Sequence, residues 1–275
     1  MFGAVIGDLI GSPYIKNEKT FDGVDSTLLS DEVKATEITV MTLAVAEALM
    51  QSMPMYGIIC DGGIFQKNLI YRMKKFGQKF THIRYGRKFY AWLHVKKSFP
   101  YESKSNGAAL RVSPIAWAFN NLEDVERFAE LAACVTTKTD ESINFARVMA
   151  GMIFLARMKK DKDEIKNYFQ ERSESSLSTF KEFDIKFNFL NIEGMRPKCC
   201  DSISAALACF LEGKKFDDSV SNAISLGGKT NETASMAGAL TEAYSGVKIL
   251  TEVEAFEKLN GRLQFTIEKW EQWKN

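Results

Sequence analysis

Cysteine and histidine are scarce in this chain of 275 residues, which has five cysteines and two histidines, His82 and His94. An odd number of cysteines in a chain of this length does not suggest a disulfide framework. The adjacent Cys199 and Cys200 have no second pair at CxxC spacing. Structural zinc usually needs about four cysteine or histidine ligands, so we expect no zinc site.

The sequence also lacks an apolar run long enough to span a bilayer, and its N-terminus has neither the basic start nor the cleavage site of a secretory signal. We therefore expect a cytoplasmic protein with no membrane partner. Hydrophobic residues make up 45% of the chain and charged residues 26%, the balance of a globular protein. Since this length can bury one large core, we expect a single domain over residues 1–275.

A strong net charge is missing as well, because 36 Lys and Arg residues face 35 Asp and Glu residues and leave a formal charge of +1. No global field would attract nucleic acid, and we expect no nucleic-acid partner. Residues 67–97 are a local exception, since their basic residues outnumber the acids. The basic residues are Lys67, Arg72, Lys74, Lys75, Lys79, Arg84, Arg87, Lys88, Lys96 and Lys97. This segment could contact phosphate or an acidic partner, but its aromatic residues fall at core spacing, which favours a solvated face of two helices.

Alternating apolar and polar residues are nearly absent, and helical periodicity dominates, which predicts an all-α fold. Residues 37–50 are apolar on most sides and predict a central buried helix that ends before Pro54. Three further apolar stripes have helical spacing: Phe65, Leu69, Met73 and Phe76; Val125, Phe128, Ala132 and Val135; Ile143, Ala146, Ala150, Ile153 and Phe154.

The ends of three helices can also be predicted. Thr139 or Asp140 is a suitable cap for the third stripe. A later helix begins at Asp201 and stops at Gly213. The helix after Lys229 has a small-residue face, suited to close helix packing, formed by Ala234, Ala237 and Gly238.

Four segments, in chain order, resemble the ADP-ribosylglycohydrolase family. They are Gly3 to Tyr14, Val40 to Leu49, Ser105 to Pro114, and Ala223 to Gly228 followed by Ala237-Gly238-Ala239 and Glu242-Ala243-Tyr244. A single such segment would be weak evidence, whereas four in the family's order are specific. The resemblance implies a compact orthogonal helical bundle of the family type, in agreement with the helical periodicity.

The resemblance also implies a pair of divalent cations, magnesium or manganese, held by two acidic motifs. The family's Thr-Asp-Asp-Thr is Thr36-Glu37-Ile38-Thr39 here, and its Gly-Gly-Asp-Thr/Ser-Asp-Thr is Gly227-Gly228-Lys229-Thr230-Asn231-Glu232. Two such ions need several anionic oxygen ligands. Ile38 offers no lone pair and Lys229 only donors. We therefore predict a degenerate metal site at Thr36, Glu37, Ile38, Lys229, Asn231 and Glu232 that holds no metal cofactor.

Other family positions have changed too. The acid that follows the family's first helix aligns with Ile15, and its histidine-containing turn is Thr136 to Asp140 here. Two interpretations remain for the new charges: surface residues at helix ends, or a substitution in which Lys229 enters the vacated cavity and pairs with Glu37 or Glu232. The second is favoured because a buried carboxylate cluster without a cation would be costly.

Asp8 is interpreted as a structural residue of the first helix.

The glycine loop is intact, and the resemblance implies that it approaches the diphosphate of ADP-ribose. The candidate ligand-binding residues are Ser105, Asn106, Gly107, Arg111, Gly227 and Gly228. An alternative stays open, in which Asn106-Gly107 only turns the chain and Arg111 pairs with an acid inside the bundle.

The leading hypothesis is a protein that has lost dinuclear-metal hydrolysis and acts by binding an ADP-ribose-like ligand, an ADP-ribosylated target or a protein partner. One alternative is an active hydrolase that removes ADP-ribose from protein side chains with a rebuilt, metal-poor site. Its candidate catalytic residues are Glu37, Glu232 and Asp140. Another alternative is a purely structural or interaction protein that kept only the fold.

Overall fold

The structure is a computed structural model that describes residues 1–15, 29–53, 61–173 and 199–275, with the backbone alone for residues 199–201. Pro54 and the Cys199-Cys200 side chains therefore lie outside the described part. These ranges contain fourteen α-helices, one 3₁₀ turn and no strand. An isolated parallel bridge joins Tyr101 and Thr137. The predicted all-α class is confirmed.

The described ranges are built from helices that succeed one another along the chain. In chain order they are α1 (Phe2–Gly11), α2 (Glu37–Ser52), α3 (Gly62–Lys79), α4 (Arg87–His94), α5 (Gly107–Leu110), α6 (Ser113–Ala118), α7 (Leu122–Cys134), α8 (Asp140–Arg157), α9 (Lys162–Arg172), α10 (Cys199–Glu212), α11 (Phe216–Ser225), α12 (Thr230–Ser245), α13 (Ile249–Glu257) and α14 (Gly261–Lys274). The 3₁₀ turn, Ser12–Tyr14, follows α1. Among the helices of the described ranges, none is long and apolar enough to cross a lipid bilayer.

Polar side chains define where several helices begin. At the N-terminus of each of these helices, a side-chain oxygen accepts a hydrogen bond from a backbone N–H of the first turn, which otherwise has no partner inside the helix. These residues are Thr36 before α2, Asp61 before α3, Asn121 before α7, Asp161 before α9 and Asn260 before α14. Thr36 is the one that matters for the site, because it also fixes the start of α2 next to α1.

The centre of the fold is the contact between α1 and α12. Every residue of α1 is buried. A Cβ atom at Gly7 would lie 2.1 Å from the Ala234 carbonyl oxygen, and one at Gly238 would lie 2.5 Å from the Gly3 carbonyl oxygen. Only glycine permits this backbone approach at these positions, so the predicted small-residue face of α12 is confirmed.

The predicted helical core is confirmed elsewhere. Helix α2 is buried without interruption from Ile38 to Leu49 and ends at Ser52. The α3 and α7 stripes are buried, and their Phe65 and Phe128 rings meet with centroids 5.3 Å apart. The stripe of α8 is also buried except for Ile143, which is partly exposed.

One predicted helix start is wrong, and one predicted cap is right in position but not in its hydrogen bonding. Helix α10 begins at Cys199, two residues before the predicted Asp201, although it ends before Gly213 as predicted. Thr139 occupies the cap position of α8, but its hydroxyl caps no backbone N–H of that helix. It instead accepts from the Ser103 N–H and donates to Glu102, because the 101–105 segment lies beside it.

Candidate functional site

Asp8 is a buried carboxylate that joins three helices. Its Oδ2 accepts hydrogen bonds from the Thr36 N–H (2.9 Å), the Thr39 N–H (3.2 Å) and the Thr39 hydroxyl (2.6 Å). Its Oδ1 accepts from the Thr36 hydroxyl (2.6 Å) and from Asn231 Nδ2 (3.3 Å). We call Asp8, Thr36, Thr39 and Asn231 the Asp8 group. All five donors are neutral, so the group connects α1, α2 and α12 without a cation.

Burial raises the pKa of Asp8, and the hydrogen bonds from Thr36, Thr39 and Asn231 lower it in part. The Thr39 N–H belongs to the first turn of α2, where the helix dipole also favours a negative charge. The interpretation of Asp8 as structural therefore agrees with its contacts, but its partners lie mainly outside its own helix.

A second set of contacts lies closer to solvent, around Glu232. Lys229 Nζ donates to Glu232 Oε1 at 2.9 Å, and Asn106 Nδ2 donates to Glu232 Oε2 at 2.6 Å. We call this the Lys229–Glu232–Asn106 chain. The expected ion pair of Lys229 is present with Glu232, three residues along. The side chain is 47% exposed, however, so Lys229 does not fill the interior as predicted. It sits directly before α12, where solvent reaches it.

Glu37, the first residue of α2, lies within electrostatic reach of both sets of contacts. Burial raises its pKa to about 7; its own backbone hydrogen bond lowers it, nearby Asp8 and Glu232 raise it, and Lys229 lowers it. The three carboxyl groups therefore interact electrostatically. Glu37 is thus partly protonated near neutral pH and is the group best placed here to exchange a proton.

Tyr85 was missed by the sequence analysis. Burial and the charge of Glu37 raise the pKa of its phenol, so it stays protonated and lies within electrostatic reach of the acid. No motif marks this tyrosine in the sequence. Asp8 did carry a signal, because it is the single charged residue in a helix that is otherwise apolar or glycine.

Arg111 is buried and turned inward. Its guanidinium donates to the Gly107 and Ala132 carbonyl oxygens, both at 3.0 Å, and to the Thr136 hydroxyl at 2.7 Å. Burial lowers its pKa to about 10. It pairs with no acid in the described residues, so the alternative that Arg111 forms an internal ion pair is not what the structure has. It fixes the start of α5 to the end of α7.

Asn106 and Ser105 are the other polar residues of the glycine loop. Asn106 is buried, and its Oδ1 has no hydrogen-bond partner while its Nδ2 is held by Glu232. Ser105 is exposed, and its hydroxyl shares a hydrogen bond with that of Ser103 (2.9 Å). Their assignment to ligand binding remains a prediction.

Gly227 and Gly228 form the turn before α12, with φ of 72° and 69°. Glycine is favoured there for its backbone conformation. A Cβ at Gly228 would meet nothing within 4 Å, so the turn borders open space. It places Lys229 beside Glu232, and a ligand role for either glycine remains a prediction.

Three other predicted positions lie apart from these contacts. Ile38 is buried in the hydrophobic core, and Ile15 is exposed at the end of the first described range. Asp140 is exposed at the first residue of α8, and none of the hydrogen bonds of the Asp8 group or of the Lys229–Glu232–Asn106 chain includes it.

The oxygen atoms that the described residues offer at this site do not fit a pair of divalent cations. Such a pair needs several anionic oxygens free to coordinate. Asp8 already accepts five hydrogen bonds, Asn231 turns its NH₂ toward Asp8, and Glu232 holds Lys229 and Asn106. Across residues that the structure describes, no group of three or more His, Cys, Asp and Glu side chains is placed to hold a metal ion.

Known proteins resemble this chain along nearly its whole length. The family model described as ADP-ribosylglycohydrolase matches residues 1–268. Human ADP-ribosylhydrolase ARH3 is 26% identical over 313 aligned positions, which cover 89% of this chain and 84% of the human protein. Bovine ADP-ribosylhydrolase ARH3 is 24% identical over 190 positions, 54% of this chain and 52% of that protein.

A solved structure described as an ADP-ribosylglycohydrolase-related protein complex is similar in fold. It superposes with a TM-score of 0.72 at 18% identity, covering 100% of this chain and 96% of that one. The match of helices over the full length agrees with the bundle described above.

Proposed function

The chain belongs to the ADP-ribosylglycohydrolase family, and we propose that it is a member that has lost metal-dependent hydrolysis and acts by binding. Its proposed ligand is ADP-ribose or an ADP-ribosylated protein, with a protein partner as the other outcome. The observation that carries this proposal is the internal use of the site's carboxylates: Asp8 by neutral donors, and Glu232 by Lys229 and Asn106.

Loss of hydrolysis follows from what the reaction requires. Cleavage of a glycosidic bond in this family's manner needs cations that polarise an oxygen or activate water, and a placed acid. Ile38 lies in the core, and Lys229 brings a positive charge to a position where the family has a ligand for cations. A cation beside the site opposes metal binding, and we propose that the protein holds no dinuclear metal cofactor.

Binding rests on other residues and can survive that loss. The loop from Ser105 to Gly107 keeps its glycine, and the buried Asn106 Oδ1 has no partner of its own. Backbone N–H groups of such a loop suit an anionic ligand. Arg111 donates to the carbonyls of Gly107 and Ala132. We therefore propose that it positions the loop and does not contact the ligand.

One observation favours a second candidate, an active hydrolase with a metal-poor site. The pKa of Glu37 near 7 suits a general acid or base at neutral pH. Glu232 is less suitable because its two oxygens are occupied by Lys229 and Asn106, and Asp140 lies on an exposed helix start. If turnover exists, we expect it to depend on Glu37.

Calorimetric titration of ADP-ribose, with and without magnesium, tests the proposal. We expect weak binding, roughly micromolar to millimolar, that magnesium does not change. The Gly107→Ala variant should weaken it about tenfold or more, since the added methyl group obstructs the loop N–H groups. The fold tolerates that methyl group, whose nearest neighbour is the Ser105 hydroxyl at 3.6 Å.

Gly261→Ala is the matched control, because Gly261 is also the first residue of a helix and its Cβ would meet only Gln264 at 3.9 Å. Its affinity should equal that of the wild type. If no binding is detected at millimolar ADP-ribose, the hypothesis of a purely structural or interaction protein is favoured instead. A rise in affinity or melting temperature with sub-millimolar magnesium would contradict the loss of the metal site.

A further inference from the structure

The charge of this chain is concentrated on one segment. Residues 61–100 contain ten Lys and Arg residues and a single acid, Asp61, and so carry a formal charge of +9. The whole chain carries +1, so the remainder carries −8. A net charge near zero therefore hides a strongly asymmetric distribution, and the expectation drawn from the net charge does not apply to this segment.

The basic side chains of this segment are exposed and largely unpaired. Eight of the ten are exposed, and Arg72 and Lys74 are partly buried. Arg72 pairs with Glu47, and it is the only one of the ten with an ion pair within the described ranges. Lys74 and Lys88 donate to backbone carbonyls. Nothing in the described structure neutralises the other charges, so an external anion would find them available.

Exposed residues of α3 lie beside the end of α4. Lys67, Tyr71 and Lys75 are exposed on α3 at a spacing of four residues, which places them on one side of the helix. Lys74 Nζ reaches the Val95 carbonyl oxygen (2.7 Å), so the end of α4 lies along α3. We call the exposed residues of α3, α4 and the segment 95–99 the α3–α4 face.

Aromatic rings lie among these charges. Tyr71, Tyr90 and Phe99 are at least half exposed, and they are three of the four large exposed aromatics in the described part of the chain. Lys75 lies over the Tyr71 ring (5.6 Å) and Lys97 over the Phe99 ring (5.4 Å). The expectation that the aromatics of residues 67–97 are core residues is therefore wrong for Tyr71 and Tyr90, and Phe99 lies just beyond that range. All three rings reach solvent, although Tyr90 also stacks on the His94 ring, with centroids 4.2 Å apart.

We propose that the α3–α4 face binds single-stranded nucleic acid. Phosphates would meet the unpaired lysines and arginines, while unpaired bases would stack on the exposed rings. An acidic polypeptide would neutralise the charges but would bring no bases to stack on the rings. The bases of a duplex stack on one another and are not free to stack on the rings. The proposal goes beyond ADP-ribose binding, because its residues belong neither to the Asp8 group nor to the 105–111 loop.

Fluorescence anisotropy with a labelled oligothymidylate of 15 nucleotides tests this. We expect saturable binding that weakens roughly 100-fold between 50 and 200 mM salt, if about five phosphates are contacted. The charge variant Lys67→Glu/Lys75→Glu/Lys97→Glu should weaken binding about 30-fold or more. The ring variant Tyr71→Ala/Tyr90→Ala/Phe99→Ala should weaken it about tenfold or more.

Two controls separate this face from general charge and surface effects. Lys160→Glu/Lys214→Glu/Lys248→Glu makes the same change in net charge at exposed lysines outside α3 and α4, and Phe265→Ala removes the fourth exposed ring. Both should change the affinity less than about threefold, with thermal unfolding used to verify the fold of every variant.

Polyglutamate, which represents an acidic protein partner, is added in competition with the oligonucleotide. Release of the oligonucleotide by polyglutamate at equal charge, together with an unaffected ring variant, would replace nucleic acid by an acidic protein and overturn the proposal. So would equal losses in the face and control variants, or no binding at 50 mM salt with about 100 μM protein. ADP-ribose titration of the same variants should be unchanged, which keeps this proposal separate from the proposed function.

Discussion

Two buried carboxylates, Asp8 and Glu47, are stabilised in opposite ways. Asp8 accepts hydrogen bonds only from hydroxyl, amide and backbone groups of the Asp8 group. Glu47, in the middle of α2, forms ion pairs with Arg72 of α3 and Arg262 of α14, and also accepts from the Thr266 hydroxyl. One carboxylate is held by neutral dipoles and the other by two cations.

The comparison shows how the buried charge of Asp8 is stabilised. A buried anion needs compensation by charge or by several hydrogen bonds. At Glu47 the chain supplies two guanidinium groups from its own helices. At Asp8 it supplies only dipoles, and Lys229 stays at the surface with Glu232. Hydrogen bonds, rather than a substituted internal cation, therefore stabilise the carboxylate next to the segments that we propose to be degenerate metal motifs.

The largest expected effect is that of Asp8→Ala, about 3 kcal/mol or more of unfolding free energy. The substitution removes the acceptor of the buried Thr39 hydroxyl and of the partly buried Thr36 hydroxyl, and it leaves the buried Asn231 amide with Thr36 Oγ1 alone. Urea unfolding measures the change. Asp8→Asn, which keeps the shape and some acceptors, should cost less. Equal small losses for both variants would mean that water replaces the carboxylate without penalty.

Glu47→Ala should destabilise by a smaller amount, about 1–3 kcal/mol. The buried acid is lost, but the side chains of Arg72 and Arg262 remain 28% and 24% exposed and can turn to water. The same unfolding titration compares it with Asp8→Ala. Should Glu47→Ala prove the more damaging, charge compensation rather than dipoles would dominate the stability of α2.

Titration of Glu37 should change the free energy of unfolding by about 1–2 kcal/mol. This is less than the full pKa shift corresponds to, because the side chain is partly exposed. Between about pH 4.5 and its folded pKa of about 7, the folded protein retains this proton whereas the unfolded chain releases it. The contribution therefore disfavours the folded state as pH rises through this window.

Thermal unfolding of wild type and Glu37→Gln at pH 5.5 and 7.5 measures this effect. The wild type should lose more stability than Glu37→Gln between the two values, because the variant has no carboxyl to titrate. Parallel changes in the two proteins would assign the pH dependence to other groups, Asp8 first among them.

Lys229→Ala should have the smallest effect, below about 1 kcal/mol, because the lysine is 47% exposed and Asn106 still donates to its partner Glu232, which is 15% exposed. Lys160→Ala, which removes a similarly exposed lysine from its pair with Glu164, is the matched control. A loss several times that of the control would return Lys229 to the buried role that the sequence analysis assigned to it.

The fold was predictable because its signals are local. The apolar stripes of α3 and α7 need only the helical period, and the small residues of α12 directly permit the approach of α1. Helix starts were less certain: Cys199 rather than Asp201 begins α10, since the apolar pattern does not mark the first turn.

That several motif residues lie together was predictable, but the contacts among them were not. Asp8 meets residues 28 and 223 positions away, Thr36 and Asn231, and only the packed helices bring them together. The inward turn of Arg111 depends on Ala132 and Thr136 at the end of α7. A single sequence gives no spacing rule for such contacts. The Lys229–Glu232 pair could be predicted, because the two residues lie within one helical turn.

Turnover of a mono-ADP-ribosylated protein in magnesium, by the wild type and by a reverted variant, tests the central claim most directly. The variant Ile38→Asp/Lys229→Asp/Asn231→Asp/Glu232→Thr/Ile15→Glu restores the family's ligands and acid. We predict no measurable release of ADP-ribose by the wild type and metal-dependent release by the reverted protein. Release by the wild type at a comparable rate, abolished by Glu37→Gln, would contradict the account and establish an active, metal-poor hydrolase.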